Sequence, residues 1–230
     1  MGHRFEDVAE IETPASVEDV WAAITTGPGV QSWFLGRTEI DGDAVRMEMG
    51  DYRPESRVTA YEPGKRFAHR VPDAPDGRFM AYEYLVEGRD RASTVVRVVT
   101  SGFLPGDDWA DEYEAMLQGN ALFVATLREY VTHFAPRTGV PLTRWGGGLA
   151  AWDRLPDLLG IDGDTAHTEI DGVGVIDGAV FHRNDQTFGI RTADALYRFI
   201  RGMNDKLMLG HVLFAPVEQD WDGWLGRHFA

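Results

Sequence analysis

Residues 11–24 have the sequence IETPASVEDVWAAI, which indicates the type of fold most clearly. Its first residues end a strand predicted over residues 4–12, and Ser16-Val-Glu-Asp19 has the spacing of a capping box in which Asp replaces the usual Glu or Gln. Apolar residues then follow at the i, i+3, i+4, i+7 spacing of one buried helix face: Val17, Val20, Trp21 and Ile24. The stretch therefore predicts a strand followed by an amphipathic helix, which Gly27-Pro28-Gly29 ends.

Further along, the hydrophobic period changes from that of a helix to that of a strand. From Arg37 to Ser101 apolar and charged residues alternate and turn residues recur, which predicts an antiparallel meander with one apolar face. Residues 108–134 then repeat mostly apolar residues at spacings of three and four, which predicts a helix about 40 Å long with one apolar stripe. The stripe consists of Trp109, Tyr113, Met116, Asn120, Val124, Leu127, Val131 and Phe134. Such a helix can lie across the apolar face of the sheet. We predict that residues 1–135 form one domain of this kind.

The composition changes after this helix. Residues 136–148 are rich in Gly and Pro, which predicts a linker. Residues 149–230 are predicted to form a smaller α+β unit, and we assign 195–200 to a strand although its apolar residues also have helical spacing. FLPGDDW (103–109) and FAPVEQDW (214–221) each join predicted strands to a predicted helix. The similarity of these two segments, and their similar place between strands and helix, predicts that the second unit is a degenerate partial repeat that lacks the first strand and helix.

Charge and composition exclude several classes of function. The chain has 230 residues and a net charge of −15 without any basic run, so we expect no binding to nucleic acid or to anionic membranes. It has no cysteine, which excludes disulfides, thiolate metal sites and a cysteine nucleophile. We find no apolar run of about 20 residues and no signal-peptide pattern, so we expect a cytoplasmic protein without membrane insertion. The histidines lack metal-site spacing and there is no phosphate loop, so we expect no metal and no cofactor.

The predicted order of elements is that of the START-like helix-grip superfamily, also called SRPBCC. Residues 11–24, the pair Trp33-Phe34, residues 58–67 (VTAYEPGKRF) and Ser101-Gly-Phe103 resemble signatures of the subfamily named after the activator of the heat-shock-protein ATPase. The resemblance covers residues 4–134. It implies an α+β helix-grip fold, in which a bent antiparallel sheet of about seven strands wraps around the long helix. It also implies a hydrophobic cavity between sheet and helix, which members use for lipids, polyketides or hormones, and it supplies no universal catalytic residue.

Strand alternation and helical spacing identify the residues that would line such a cavity or fill a core. The candidate ligand-binding residues are Trp33, Phe34, Met47, Met49, Val58, Phe67, His69, Tyr82, Tyr84, Val96, Val98, Met116, Asn120, Phe123 and Leu127. Asn120 is an amide within an apolar stripe, and burying it unpaired would cost roughly 1–3 kcal/mol. Asn120 and His69 therefore either bond to other core groups or contact a ligand. Together they would form a polar spot for a ligand carbonyl or hydroxyl, or supply a general acid or base.

Three functions are compatible with these residues. The leading prediction is binding of a small apolar ligand, lipid-like or polyketide-like, between the sheet and the long helix. An alternative is a pocket enzyme of the cyclase, dehydratase or hydrolase type, which needs His69, Asn120 and the tyrosines within hydrogen-bond reach of one another. The third is an interaction module, a chaperone-ATPase regulator or a homodimer formed through the C-terminal unit, with Trp221 and Trp224 as exposed anchors. Burial of these tryptophans would remove the support for the third.

Overall fold

The computed structural model describes residues 2–89, 93–107, 109–149, 151–202 and 206–229. The chain divides into two compact units, Met1–Thr138 and Gly139–Ala230. No helix within the described residues is both long enough and apolar enough to cross a bilayer.

The first unit is a seven-stranded antiparallel sheet with two short helices after its first strand and one long helix after its last. Its elements are β1 (His3–Thr13), α1 (Val17–Thr25), α2 (Gly27–Gln31), β2 (Arg37–Asp41), β3 (Ala44–Glu48), β4 (Glu55–Glu62), β5 (Arg66–Arg70), β6 (Phe79–Arg89), β7 (Ser93–Leu104) and α3 (Trp109–His133). The strand order β1-β7-β6-β5-β4-β3-β2 is a meander closed by β1. This order confirms the predicted helix-grip fold. The predicted helix start at residue 108 lies outside the described residues.

The α1–α2 corner is stabilised by local contacts, one of which, the Ser16 cap, the sequence predicts. The Ser16 hydroxyl caps α1, because it accepts a bond from Asp19 N at 3.1 Å and donates to Asp19 Oδ2 at 2.7 Å. A Cβ on Gly29 would lie 2.2 Å from the carbonyl oxygen of Ala22, so only glycine fits there. After the corner, Trp33 Nε1 donates to the carbonyl of Ala23 at 3.0 Å. The last of these contacts holds the segment that carries Trp33 and Phe34 against α1.

The long helix α3 is buried mainly in its C-terminal half. Leu127 and Val131 of the predicted apolar stripe are buried, and so are Leu122 and Tyr130, which the stripe omits. The wider burial arises because this helix packs against β1 and β7 and also against α1. Within the N-terminal half of α3, Met116 is only partly buried.

The second unit repeats the element order of the first. Its elements are β8 (Val140–Trp145), a 3₁₀ turn (Trp152–Arg154), α4 (Leu155–Leu158), β9 (Ile161–Asp162), β10 (Thr165–Ile170), β11 (Gly174–Arg183), β12 (Thr187–Arg191), β13 (Ala195–Gly202), β14 (Lys206–Leu213) and α5 (Trp221–His228). The strand order β8-β14-β13-β12-β11-β10-β9 matches that of the first sheet. The repeat is therefore complete in element order, with its helices shortened, rather than truncated before the first strand as predicted.

Two predictions for this half of the chain have different outcomes. The strand predicted at 195–200 is confirmed as part of β13. The predicted linker 136–148 needs correction, because residues 140–145 form β8 and pair with β14. Within the described part of the chain β8 pairs on one side only, with β14, so it lies at the edge of its sheet, where proline such as Pro141 is tolerated. Because residues 136–148 are rich in Gly and Pro, the sequence pattern does not indicate the strand β8.

The tryptophans of α5 belong to the core of the second unit. Trp221 and Trp224 are 1% and 2% exposed, with their ring centroids 5.4 Å apart. Trp221 Nε1 donates to Gln219 Oε1 at 3.0 Å. The prediction that these two side chains are exposed anchors for a partner is therefore wrong, because the short α5 buries its apolar face within its own unit.

A candidate ligand cavity in the first unit

A cavity of about 190 Å³ lies in the first unit. The described residues that line it come from α1, α2, the segment after α2 and strands β2 to β6 with their turns, and none belongs to α3. Val30, Val45, Phe67 and Tyr84 form buried parts of the wall. Tyr52 also contributes to the lining and is 64% exposed, so it marks the side that faces solvent.

The structure divides the predicted ligand-binding residues into three groups. Those that line the cavity are Phe34, Met47, Met49, Phe67, His69, Tyr82 and Tyr84. A separate gap of about 20 Å³, between the sheet and α3, is lined by Trp33, Phe34, Tyr82, Tyr84, Val98, Asn120, Phe123 and Leu127. Val58, Val96 and Met116 line neither space. The cavity therefore lies to one side of the position predicted for it between sheet and long helix.

Phe34 explains this displacement. Its ring centroid is 4.7 Å from that of Phe123 on α3 and 6.3 Å from that of Tyr82 on β6. The ring fills the space between helix and sheet where a cavity was expected. Phe34 borders both the cavity and the small gap, as do Tyr82 and Tyr84, so these three side chains form the partition between the two spaces.

A bulge in β4 shifts the strand alternation beyond Val58. Val58 pairs with His69, but after the bulge Tyr61 rather than Ala60 lies opposite Phe67. The ring centroids of Tyr61 and Phe67 are 6.2 Å apart. Val58 faces the same side as His69, as predicted, but its side chain does not contribute to the cavity wall.

Several lining residues were missed by the sequence prediction. Ser56, Val45 and Val71 line the cavity, and each has the strand parity of a predicted neighbour, so alternation could have identified them. Tyr52 and Pro54 lie outside the named strands and carry no periodic signal. Only the fold of the β3–β4 connection brings them to the cavity.

His69 is the main polar group of the cavity. Its ring stacks on Tyr82, with centroids 5.2 Å apart and an interplanar angle of 27°, and also lies near Phe67 and Tyr84. Nδ1 is 2.8 Å from the hydroxyl of Ser56. Burial lowers the pKa of His69 from 6.5 to about 4, because the charged imidazolium would lose its hydration there. The imidazole is therefore neutral at pH 7.

Among the described residues, Glu55 is the only charged side chain that lines the cavity, and arginines outside the wall bind it. Burial raises the pKa of Tyr82 to about 12 and also raises the pKa of Tyr84, so both phenols are neutral. The Glu55 carboxylate is bound by Arg46 at 3.0 Å and Arg57 at 2.8 Å. The interior thus offers apolar surface and neutral hydrogen-bonding groups.

Asn120 is not brought into this cavity with His69. It lines the small gap beside α3, and its Nδ2 is buried without a hydrogen-bond acceptor among the described residues. The gap is about the size of one water molecule. The predicted polar spot is thus divided, with His69 in the cavity and Asn120 in the gap, while Tyr82 and Tyr84 border both.

Several solved structures have a fold similar to that of this chain. A dimer of Aha1 from Colwellia psychrerythraea is 19% identical, with a TM-score of 0.45 over 55% of this chain and 96% of that one. DynU16, a protein from the dynemicin biosynthetic locus, is 17% identical, with a TM-score of 0.48 over 97% of this chain and 92% of that one. CalU16 from Micromonospora echinospora is 13% identical, with a TM-score of 0.43 over 57% and 81%. No protein-family model and no curated protein matches the chain. These likenesses concern the fold alone.

Proposed function

We propose that the first unit, an α+β helix-grip fold, binds one small apolar molecule in the cavity beside α1 and α2. The observation that carries this proposal is the cavity itself, with about 190 Å³ of space walled largely by aromatic, aliphatic and methionine side chains. Apolar cavities of about 150 Å³ are known to take up benzene. A single-ring or short branched molecule, or the corresponding part of a longer lipid-like or polyketide-like one, therefore fits.

The wall has features of an adaptable binding site. Met47, Met49 and Met80 contribute three flexible and polarizable side chains, which adjust to ligands of different shape. Tyr52 lies at the exposed side, in a turn closed by reciprocal backbone hydrogen bonds of 3.0 and 3.2 Å with Met49. This turn is the natural entrance, because it lies at the exposed end of the cavity.

The methionines also provide the test. Titration of methyl-¹³C-methionine protein with toluene should give saturable shifts of the Met47, Met49 and Met80 methyl resonances, with those of Met116 and Met208 unmoved. Met47→Trp should abolish the shifts by filling the cavity, whereas the matched variant Met116→Trp, away from the cavity, should retain them. Wild-type protein without any saturable shift would refute the proposal.

A pocket hydrolase is the second candidate, and the contact between Ser56 and His69 favours it. A serine nucleophile needs a base whose pKa is near the working pH and a third group that orients the base. The pKa of His69, about 4, and the absence of a carboxylate bonded to its ring among the described residues make it a weak base. Labelling of Ser56 by a fluorophosphonate, absent in Ser56→Ala, would favour the enzyme.

A further inference from the structure

We infer that the cavity selects a neutral ligand carrying a hydrogen-bond acceptor, such as a small aryl or branched ketone, and that His69 Nε2 donates to this acceptor. The inference rests on the proposed binding function and adds the chemistry by which the ligand is recognised. It follows from three features of the site: the tautomer of His69, the accessibility of Nε2, and the charge of the cavity.

The tautomer of His69 follows from the hydrogen bond that the buried Ser56 hydroxyl must donate. Ser56 is 6% exposed, and His69 Nδ1 is the hydrogen-bond partner that the described residues give to its hydroxyl. If Nδ1 carried the proton, the Ser56 hydrogen would be left without an acceptor in a buried site, which is costly. With Ser56 donating to Nδ1, the single proton of the neutral imidazole is on Nε2. His69 is then a donor at Nε2.

The Nε2 atom is open to the cavity. It has no hydrogen-bond partner among the described residues, and it is not one of the fully enclosed polar atoms without a partner. Tyr82 stacks on the ring, Phe67 packs beside it at a tilt, and Nδ1 is occupied by Ser56. Because His69 lines the cavity, its free donor is available to a molecule inside it.

The charge of the site favours a neutral acceptor over a carboxylate. No Arg or Lys is among the described residues that line the cavity. Arg46 and Arg57 lie nearby and are already bonded to Glu55. A buried anion without a cationic partner pays a large desolvation penalty, whereas a ketone oxygen needs only one donor. The two tyrosine hydroxyls are additional neutral groups at the same wall.

Two probes of the same shape test the inference. Acetophenone and α-methylstyrene differ only by C=O in place of C=CH₂, so both fit if the cavity binds a single ring. We expect the ratio of their dissociation constants, alkene over ketone, to be about 3- to 10-fold higher in wild-type protein than in His69→Phe, since a net hydrogen bond is worth that much. His69→Gln, which restores a donor, should recover part of the preference.

The outcomes separate the inference from the function on which it rests. If both probes bind and their ratio is the same in wild type and His69→Phe, the inference is overturned and the binding function stands. If neither probe binds wild-type protein, both fail. Should His69→Phe not fold, the ¹⁵N resonance of His69 Nε2 in wild-type protein decides: acetophenone should shift it and α-methylstyrene should not, and equal shifts would overturn the inference.

Discussion

Replacing His69 should remove a large part of the acid sensitivity of the first unit. In the folded protein the pKa of His69 is about 4, against 6.5 for an unburied histidine. Between these values the unfolded chain binds a proton that the folded chain does not, so protonation stabilises the unfolded state. This contribution to stability is complete above pH 6.5 and is lost as the pH falls towards 4.

The size of the effect follows from the same two values. Stability changes by about 1.4 kcal/mol per pH unit while only the unfolded state is protonated, so lowering the pH from 7.5 to 5 costs the first unit about 2 kcal/mol. His69→Gln, which keeps an acceptor for Ser56, should lack this loss. Urea unfolding at pH 7.5 and pH 5, followed through resonances of the first unit, measures it.

The matched control is His167→Gln, which removes an exposed histidine of the second unit. We expect this variant to keep the pH dependence of wild-type protein. Direct NMR titration of the His69 ring gives an independent value. Equal pH dependence in wild type and His69→Gln, or titration of His69 near pH 6.5, would refute the reasoning that burial in the cavity wall keeps His69 neutral.

Three further substitutions test the cavity and its surroundings. Phe34→Ala should join the cavity to the gap beside α3 and cost about 3 kcal/mol on urea unfolding, the low end for a truncated phenylalanine because Phe34 is only partly buried. It should also strengthen naphthalene binding by on the order of tenfold; unchanged naphthalene affinity would show that Phe34 is not part of the partition. Asn120→Leu should raise stability by about 1 kcal/mol, because the amide is buried without an acceptor among the described residues; a loss of about 1 kcal/mol or more would reveal a bonded amide. Gly29→Ala should destabilise by about 1–3 kcal/mol through collision with the Ala22 carbonyl, and a wild-type unfolding midpoint would contradict this.

The element order of the first unit could be predicted from local patterns. The Ser16 cap, the helix face with Val20 and Ile24, and the alternation along the strands are properties of short segments, and they appear in the structure as expected. Alternation also placed His69 and Met47 on the inner face. These are features that neighbouring residues determine among themselves.

The position of the cavity could not be predicted in this way. Alternation states which face a side chain is on, but not which part of that face the helices cover. The ring of Phe34 fills the space beside α3, and this depends on contacts with Phe123 and Tyr82, far away in sequence. Val96 and Met116 were therefore assigned to a cavity that they do not line.

The second unit was harder to predict because its elements are short. α5 has 8 residues against 25 for α3, and α4 has 4. A helix of 4 residues such as α4 carries too few apolar repeats to give a period, whereas α5, although short, was predicted after the junction at 214–221. The edge strand β8 contains Pro141, which argues against a strand unless its place at the sheet edge is known.

A crystal structure grown with iodobenzene tests whether the cavity of the first unit binds a small apolar molecule. The anomalous signal of iodine locates the ligand independently of the side chains around it. We predict one iodine peak inside the first unit, among Phe34, Met47 and Tyr84, and no such peak in Met47→Trp. A wild-type crystal with no iodine in this cavity, and with these side chains packed against one another, would contradict it.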